Sequence, residues 1–504
     1  MRLSGKSALV VEADERRGLL SLESPDSTES TEPTEPTNQS PTAGQPSVAV
    51  QERRRRASRA RRGQPRALAN LPRVLRIIGP GLITGAADDD PSGIGTYSQA
   101  GAAFGRSQLW LVIYMLPLMI AVQEMCGRIG LETGKGLAAV IRERYSRRVL
   151  GVVVILVAIA NTLNIGADLG AMAATARLFI PGAPFALVLV VVALAIVALE
   201  IFVPYRYYAT VLKVLALSLL AYVVTGLIVG VNSPELIRVT LVPNIQFTPS
   251  FLALVVGILG TTISPYLFFW QTSEEVEELT EHGEIPLPDS SAARAKPAAP
   301  RQVTRAKLRD LRLDTALGML SSEIATWFII FTTGSTLYVH GITNITSPAQ
   351  AASALAPLVK GFPHAGALAE GIFALGIIGV GLLGIPVLAG SAAYAISEAL
   401  RWREGLWRQA TQARGFYAVI VAATLIGMGL SLFNINPMAA LVYVAIINGV
   451  VAVPLLALIL LVANNRAIMG SNVNGRLANI VGLIALIFMA AAVVVTLVFL
   501  IPGV

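Results

Sequence analysis

Charge is what this chain has least of. Of its 504 residues only 14% are Asp, Glu, Lys or Arg, while 54% are hydrophobic; soluble domains carry about a quarter charged residues. With a mean hydropathy of +0.65, this scarcity excludes a soluble enzyme on a single anchor and defines a polytopic membrane protein. Cysteine is nearly absent too. Cys126 stands alone, so no internal disulfide is expected. The three histidines, His282, His340 and His364, all fall in connections between apolar segments. No stretch near Met1 shows the charged, apolar and cleavage regions of a signal peptide in order, so none is expected.

The formal net charge of +8 is a matter of placement. Residues 1–72 read as a disordered basic tail, apart from the 73–504 transmembrane domain. Ser21 to Ser47 is rich in Ser, Thr, Pro and Glu and has too few large apolar residues to fold. Arg53 to Arg56 follow, then Arg59, Arg61 and Arg62. Such a run serves either as an arm on nucleic acid or as a tail at anionic lipid. No aromatic residue interleaves with the arginines, as single-strand binding requires. The expected partner is the lipid bilayer, not nucleic acid.

Crossing the hydrocarbon core takes about 20 apolar residues. Eleven segments qualify, at 74–104, 107–131, 150–178, 184–204, 208–231, 250–273, 315–338, 367–398, 414–433, 437–463 and 478–502. Lys and Arg crowd alternate connections: Lys135 to Arg148, Arg206, Arg294 to Arg312, Arg401 to Arg414, then Arg466 and Arg476. The opposite connections offer Arg106, Arg238 and Lys360. The rule that basic loops stay inside sets the N-terminus in the cytoplasm of a bacterial plasma membrane and the C-terminus outside. The 273–312 connection is then a cytoplasmic loop. Its acidic start (Glu274, Glu275, Glu277, Glu278) reads as a solvated helix extension or as a sensor of cytoplasmic cations.

Against this apolar background, Asp88-Asp89-Asp90-Pro91-Ser92-Gly93 interrupts the first span. One carboxylate at the bilayer centre costs about 2.5–3.5 kcal/mol, so three cost roughly 8–10. Pro91 removes a backbone donor and clashes with the preceding turn. The sixth span carries a second break, Gly260-Thr261-Thr262-Ile263-Ser264-Pro265-Tyr266. Two interrupted spans, five apart, are the mark of transporters built from inverted five-helix repeats, whose ion site lies where the broken helices meet. The residues predict an all-α integral membrane protein of this plan, with a cation site centred on Asp90. In a continuous helix consecutive residues point about 100° apart, so all three aspartates could not face one ion. In an unwound segment Asp89 could join Asp90, leaving Asp88 to line a vestibule. Of the other acids in the spans, Glu124 is deep enough to face the pathway, whereas Glu200 and Glu323 read as span-end residues in contact with interfacial water.

The chain resembles the Nramp divalent-metal transporters over most of residues 75–500. Gly79-Pro80-Gly81 leading to Asp90-Pro91-Ser92-Gly93 is similar to the family's first-span Asp-Pro-Gly-Asn. Arg128-Ile129-Gly130-Leu131-Glu132-Thr133-Gly134-Lys135 looks like its signature at the end of span two. Asp168-Leu169-Gly170-Ala171 falls on its Asp-Leu-Ala-Glu, and Thr261-Thr262-Ile263-Ser264-Pro265-Tyr266 on its Ala-Thr-Val-Met-Pro-His. The resemblance implies a LeuT-like fold with spans 1 and 6 broken. It also implies a metal site of Asp90, Gly93, Ser264 and the Thr261 carbonyl, with Asp89 a further candidate. Only the Asp of the family's side-chain ligands survives, since Gly93 replaces Asn and Ser264 replaces Met. Thioether suits softer ions and oxygen suits Mg2+, so the chain looks most like the Nramp-related magnesium transporters. Asp88, Asp168, Tyr266, Gln271, Asn448 and Glu124 are candidates for the pathway or for support of the site. For Asp168 and Asn448 structural hydrogen bonding is the plain alternative, and for Tyr266 and Gln271 it is packing.

The family's proton relay uses membrane histidines and a third-span acid pair. Here the second acid is Ala171 and no histidine falls in a span, so uncoupled or weakly coupled transport is expected. No cofactor is implied beyond the transported Mg2+ or Mn2+, and no oligomeric state. Three other readings compete: a proton-coupled Mn2+/Fe2+ importer, a sodium-coupled organic-solute symporter and a membrane prenyl-transfer enzyme. The last typically needs two Asp-rich motifs with spaced aspartates, where this chain has one contiguous run.

Overall fold

Prolines and the lengths of the apolar runs decide where the helices start, break and stop. The structure, a computed structural model, describes residues 80–203, 219–231, 234–286, 300–433 and 435–499. The basic tail, the opening residues of span one, most of the first half of span five and the middle of the 273–312 connection lie outside them.

Span one is two helices, α1 (Pro80–Asp88) and α2 (Pro91–Phe104). Then come α3 (Leu109–Thr133), the short α4 (Leu137–Arg144), α5 (Arg147–Ala176), α6 (Phe185–Phe202) and α7 (Leu220–Val229). After α8 (Pro234–Leu241), span six is again two helices, α9 (Pro249–Thr262) and α10 (Pro265–Glu281). Spans seven to eleven are α11 (Arg305–Thr336), α12 (Ala365–Leu400), α13 (Arg414–Ser431), α14 (Pro437–Ala463) and α15 (Arg476–Phe499). Among the described residues nine helices are long and apolar enough to cross a membrane. The divided first span and the described part of the fifth complete the architecture read from the sequence. Side chains such as Leu187, Val191, Ile484 and Ile487 stay exposed on the outer helices, as a surface solvated by lipid requires.

Two boundaries differ from the sequence reading. Helix α10 runs on to Glu281 and α11 begins at Arg305, so the connection after span six is shorter than 273–312. The acidic run lies on α10 and is not fully solvated: Glu275 is buried, and the Glu277 carboxylate takes the Tyr394 hydroxyl and the Leu406 N–H. The longer α11 also moves Glu323 from a span end to mid-helix.

A close helix pairing runs along span one. Gly81 N–H donates to the Asp314 carboxylate at 2.6 Å, and a Cβ on Gly85 would collide with the backbone of Gly318. Absence of side chains at such a crossing lets two backbones approach, as is common between membrane helices. Spans one and seven are thereby fixed in register from Gly81 upward.

The end of span two that carries the family-like signature is a junction. Arg128 donates to the Asn472 carbonyl at 3.2 Å and to the Asn474 side chain. Glu132 accepts from Asn472 at 2.5 Å, and Arg301 donates to the Leu131 and Glu132 carbonyls. One helix end therefore ties down the chain just before spans seven and eleven.

Candidate metal-ion site

At the first break, Asp90 acts as N-cap of α2. Its Oδ1 accepts from the Gly93 N–H at 2.8 Å and from the Ser92 hydroxyl at 2.6 Å. Pro91 at the first helical position needs no hydrogen bond there, so chain direction and carboxylate orientation are set together. The second oxygen, Oδ2, accepts from Asn164 Nδ2 at 2.9 Å. The Tyr266 hydroxyl lies 3.4 Å from the same oxygen and 3.1 Å from the Ala87 carbonyl. Asp90 is 1% exposed. Gly384 of span eight leaves the room it occupies, because a Cβ there would sit 2.9 Å from the Asp90 Cβ.

At the second break, α9 stops at Thr262 and α10 restarts at Pro265. The Ser264 hydroxyl lies 2.8 Å from the Gly260 carbonyl and closer still to that of Thr261. Ser264 thus occupies one of the two lone pairs of the Thr261 carbonyl when it donates there. Thr261 Oγ1 lies 3.0 Å from the Tyr97 hydroxyl, which is 3.4 Å from Thr262 Oγ1. The breaks meet through two tyrosines: Tyr266 reaches from span six to Asp90, and Tyr97 from span one to Thr261.

Asp90, Gly93 and Tyr266 are therefore drawn together, with Gly93 offering its backbone N–H. No direct hydrogen bond joins Asp90 to Thr261 or Ser264 among the described residues. Asp88 and Asp89 turn the other way, towards Ser322 of span seven. Gln271 lies lower on α10, bonded to Thr84 at 2.6 Å and to Glu275 at 3.0 Å. Glu124 does not face Asp90. It is paired with Arg312 at 3.0 Å and Arg128 at 3.4 Å. Asp168 shares Asn164 with Asp90, at 3.3 Å. Asn448 supports the site from span ten by donating to Asn164 Oδ1 at 3.2 Å.

Asn164 is the residue that sequence reasoning missed. One amide touches Asp90, Asp168 and Asn448, and so connects spans one, three and ten. Its signal was available: an Asn in an apolar run, four residues before Asp168, shares that residue's helix face. Glu200 and Glu323, read as water-facing, are both buried, and among the described residues none of their carboxylate oxygens has a partner.

The side chains at the two breaks offer oxygen and no sulfur. Among the described residues no three His, Cys, Asp or Glu side chains form a ready cage. An ion here would be held by one carboxylate and by backbone and hydroxyl oxygens. A buried carboxylate between two broken helices, in a bundle of long apolar spans, defines a membrane transporter of the LeuT-like class.

Comparison with known proteins narrows the class. The chain matches the family model described as natural resistance-associated macrophage protein-like (Nramp) over residues 81–499, and it belongs to that family. It is accordingly a divalent-metal transporter and not an enzyme. Among solved structures it is similar to the Eremococcus coleocola manganese transporter bound to an aromatic bis-isothiourea compound, with a TM-score of 0.62 and 17% identity over 84% of this chain and 86% of that one. MhsT in complex with L-phenylalanine gives 0.55 and 11%, covering 84% and 98% of the two chains. A nucleobase-cation-symport-1 family transporter in a closed conformation with bromovinylhydantoin gives 0.51 and 13%, covering 83% and 92%. At these identities the likeness is one of fold.

Proposed function

We propose that this transporter imports Mg2+, and accepts Mn2+, by alternating access across a bacterial plasma membrane, without coupling to protons. The observation that carries the reading is the donor set at the breaks. Asp90 is the one carboxylate between spans one and six, and Ser264 and Gly93 stand where the family has Met and Asn. Oxygen ligands suit a hard ion, and small residues leave room for one that keeps part of its water shell. The N-terminal tail and the Lys/Arg-rich connections are assigned to the cytoplasm.

Energetics allow import without a proton. A divalent ion gains about 4.6 kcal/mol per 100 mV of inside-negative potential, roughly three decades of concentration. The family's proton relay is reduced here: Ala171 replaces its second acid. His282 follows α10, His340 ends a turn after α11, and His364 precedes α12.

One observation favours the alternative, a proton-coupled Mn2+/Fe2+ importer: Asp168 is fully buried and one amide away from Asp90. Proteoliposomes with an internal pH dye and a potassium-set potential separate the two. The proposal expects Mn2+ uptake that excess Mg2+ suppresses, that rises with potential and that leaves internal pH unchanged. Acidification matching metal entry, or indifference to Mg2+, refutes it.

A further inference from the structure

The acidic triplet splits at the helix break. Asp90 turns towards span three, whereas Asp88 and Asp89 turn towards span seven, where Ser322 lies within hydrogen-bond reach of both and Glu323 is next to it along α11. Asp88 Oδ2 lies 2.7 Å from Ser322 Oγ, and Asp89 Oδ1 lies 3.1 Å from the same atom. A serine hydroxyl has a single hydrogen to donate, so one of these approaches brings oxygen to oxygen. Exposure is 1% for Asp88, 4% for Asp89 and 2% for Glu323.

The group is short of positive charge. Asp88 Oδ1 and both oxygens of Glu323 are buried with no hydrogen-bond partner among the described residues. The charged groups that bear on Asp88 are Asp89, Glu323 and Asp90, and the one that bears on Glu323 is Asp89. Among the described residues all of these carry the same sign. One turn further along α11, on the face of Ser322, Thr326 is also buried (1% exposed) with its hydroxyl unpartnered. Asp90, by contrast, has its oxygens met by Ser92, Gly93 and Asn164. Buried charges in proteins are paired or coordinate metals, because an unmatched one is costly.

We propose that Asp88, Asp89 and Glu323, with Ser322, hold a second divalent cation, distinct from the ion carried at Asp90. The chemistry selects the ion class. All donors are oxygen, which suits a hard cation. A divalent ion leaves one net negative charge on three carboxylates, where a monovalent ion leaves two. Among the described residues no three of these side chains are placed to hold an ion unaided, so the ion would have to draw them inward or keep several of its waters. The site bridges span one to span seven just below the break, where Gly85 already brings the two backbones together. A cation there fixes the lower half of span one against span seven while cargo binds on the other side of the break.

The test is a count of bound ions. Mn2+, a paramagnetic probe with the same preference for oxygen, is titrated into the full chain in detergent micelles, and free ion is read by electron paramagnetic resonance. The native protein is expected to bind two equivalents, Glu323→Gln one and Asp90→Asn one. Ser322→Ala is expected to weaken the second site while keeping the first, and it serves if Glu323→Gln fails to fold. One equivalent lost in Asp90→Asn tests the transport site, and one lost in Glu323→Gln tests this one, so either can fail alone. The same stoichiometry in Glu323→Gln, Ser322→Ala and the native chain overturns the proposal. So does an Asp90→Asn protein that is folded and binds no ion.

Discussion

Replacing Asp90 by Asn removes the charge at the site while changing its shape least. The amide oxygen can still cap Gly93 and Ser92, now 2.8 and 2.6 Å from Oδ1, and Asn caps helices about as well as Asp. The fold is therefore expected to survive. At Oδ2 the outcome differs, because an amide NH2 would confront Asn164 Nδ2, now 2.9 Å away, donor against donor. Loss of one partner from a buried charge pair costs about 3–5 kcal/mol, or about two to four decades of ion affinity at 1.36 kcal/mol per decade. Asn164→Ala provides the internal scale: the charge stays and one hydrogen bond to it goes, worth about 1.5–3 kcal/mol, or about one to two decades. In proteoliposomes the concentration for half-maximal Mn2+ uptake should rise for both variants, and more for Asp90→Asn. If Asp90→Asn transports with half-saturation within about threefold of the native protein, about 0.7 kcal/mol, the carboxylate is not the ligand.

Three further variants read different parts of the structure. Ser264→Met adds a thioether at the second break, and the ratio of Mn2+ to Mg2+ uptake should rise by about tenfold, equivalent to 1.4 kcal/mol; an unchanged ratio in a folded variant would remove the selectivity argument. Gly384→Ala puts a methyl group 2.9 Å from the Asp90 Cβ and should sharply reduce uptake, while Gly429→Ala, where a Cβ meets nothing within 4 Å, should not. At the end of span two, Arg128→Met leaves the buried Glu124 with Arg312 alone, and heat unfolding in detergent should show a loss of about 3 kcal/mol. Arg312→Ala, whose side chain is 61% exposed, should lose less than about 1.

Both helix breaks were legible in the sequence because Pro91 and Pro265 each follow polar residues, an acidic triplet and a Thr/Ser run. Proline alone does not break a span, since Pro117, Pro386 and Pro454 lie inside α3, α12 and α14. Span lengths were legible too, since lipid sets one length for all. What could not be read was which helix meets which face. Helix α14 is apolar nearly all round, so periodicity does not say that Asn448 points at Asn164. Glu323 was misplaced for a related reason. The first turns of α11 carry Arg305, Lys307, Arg309, Asp310, Arg312 and Asp314 and read as loop, though Leu308, Leu311 and Asp314 are buried. Once the helix is seen to start at Arg305, Glu323 falls mid-span, opposite the break.

Donor counts on the two sides of that break suggest different tasks. A transport site has to release its ion, so binding there has to be favourable without being deep. Asp90 meets this condition. Its two oxygens already take three hydrogen bonds between 2.6 and 2.9 Å, so its orientation is fixed and its charge partly spread before an ion arrives. Among the described residues the six oxygens of Asp88, Asp89 and Glu323 have the hydroxyl of Ser322 as hydrogen-bond partner, and three of the six have none. An ion there would gain the full value of neutralising charge buried in low dielectric, where each unpaired group costs several kcal/mol, and would leave slowly. Three adjacent aspartates are therefore not one strong site. On the proposed reading, the break at Pro91 turns one carboxylate towards exchange and two towards retention.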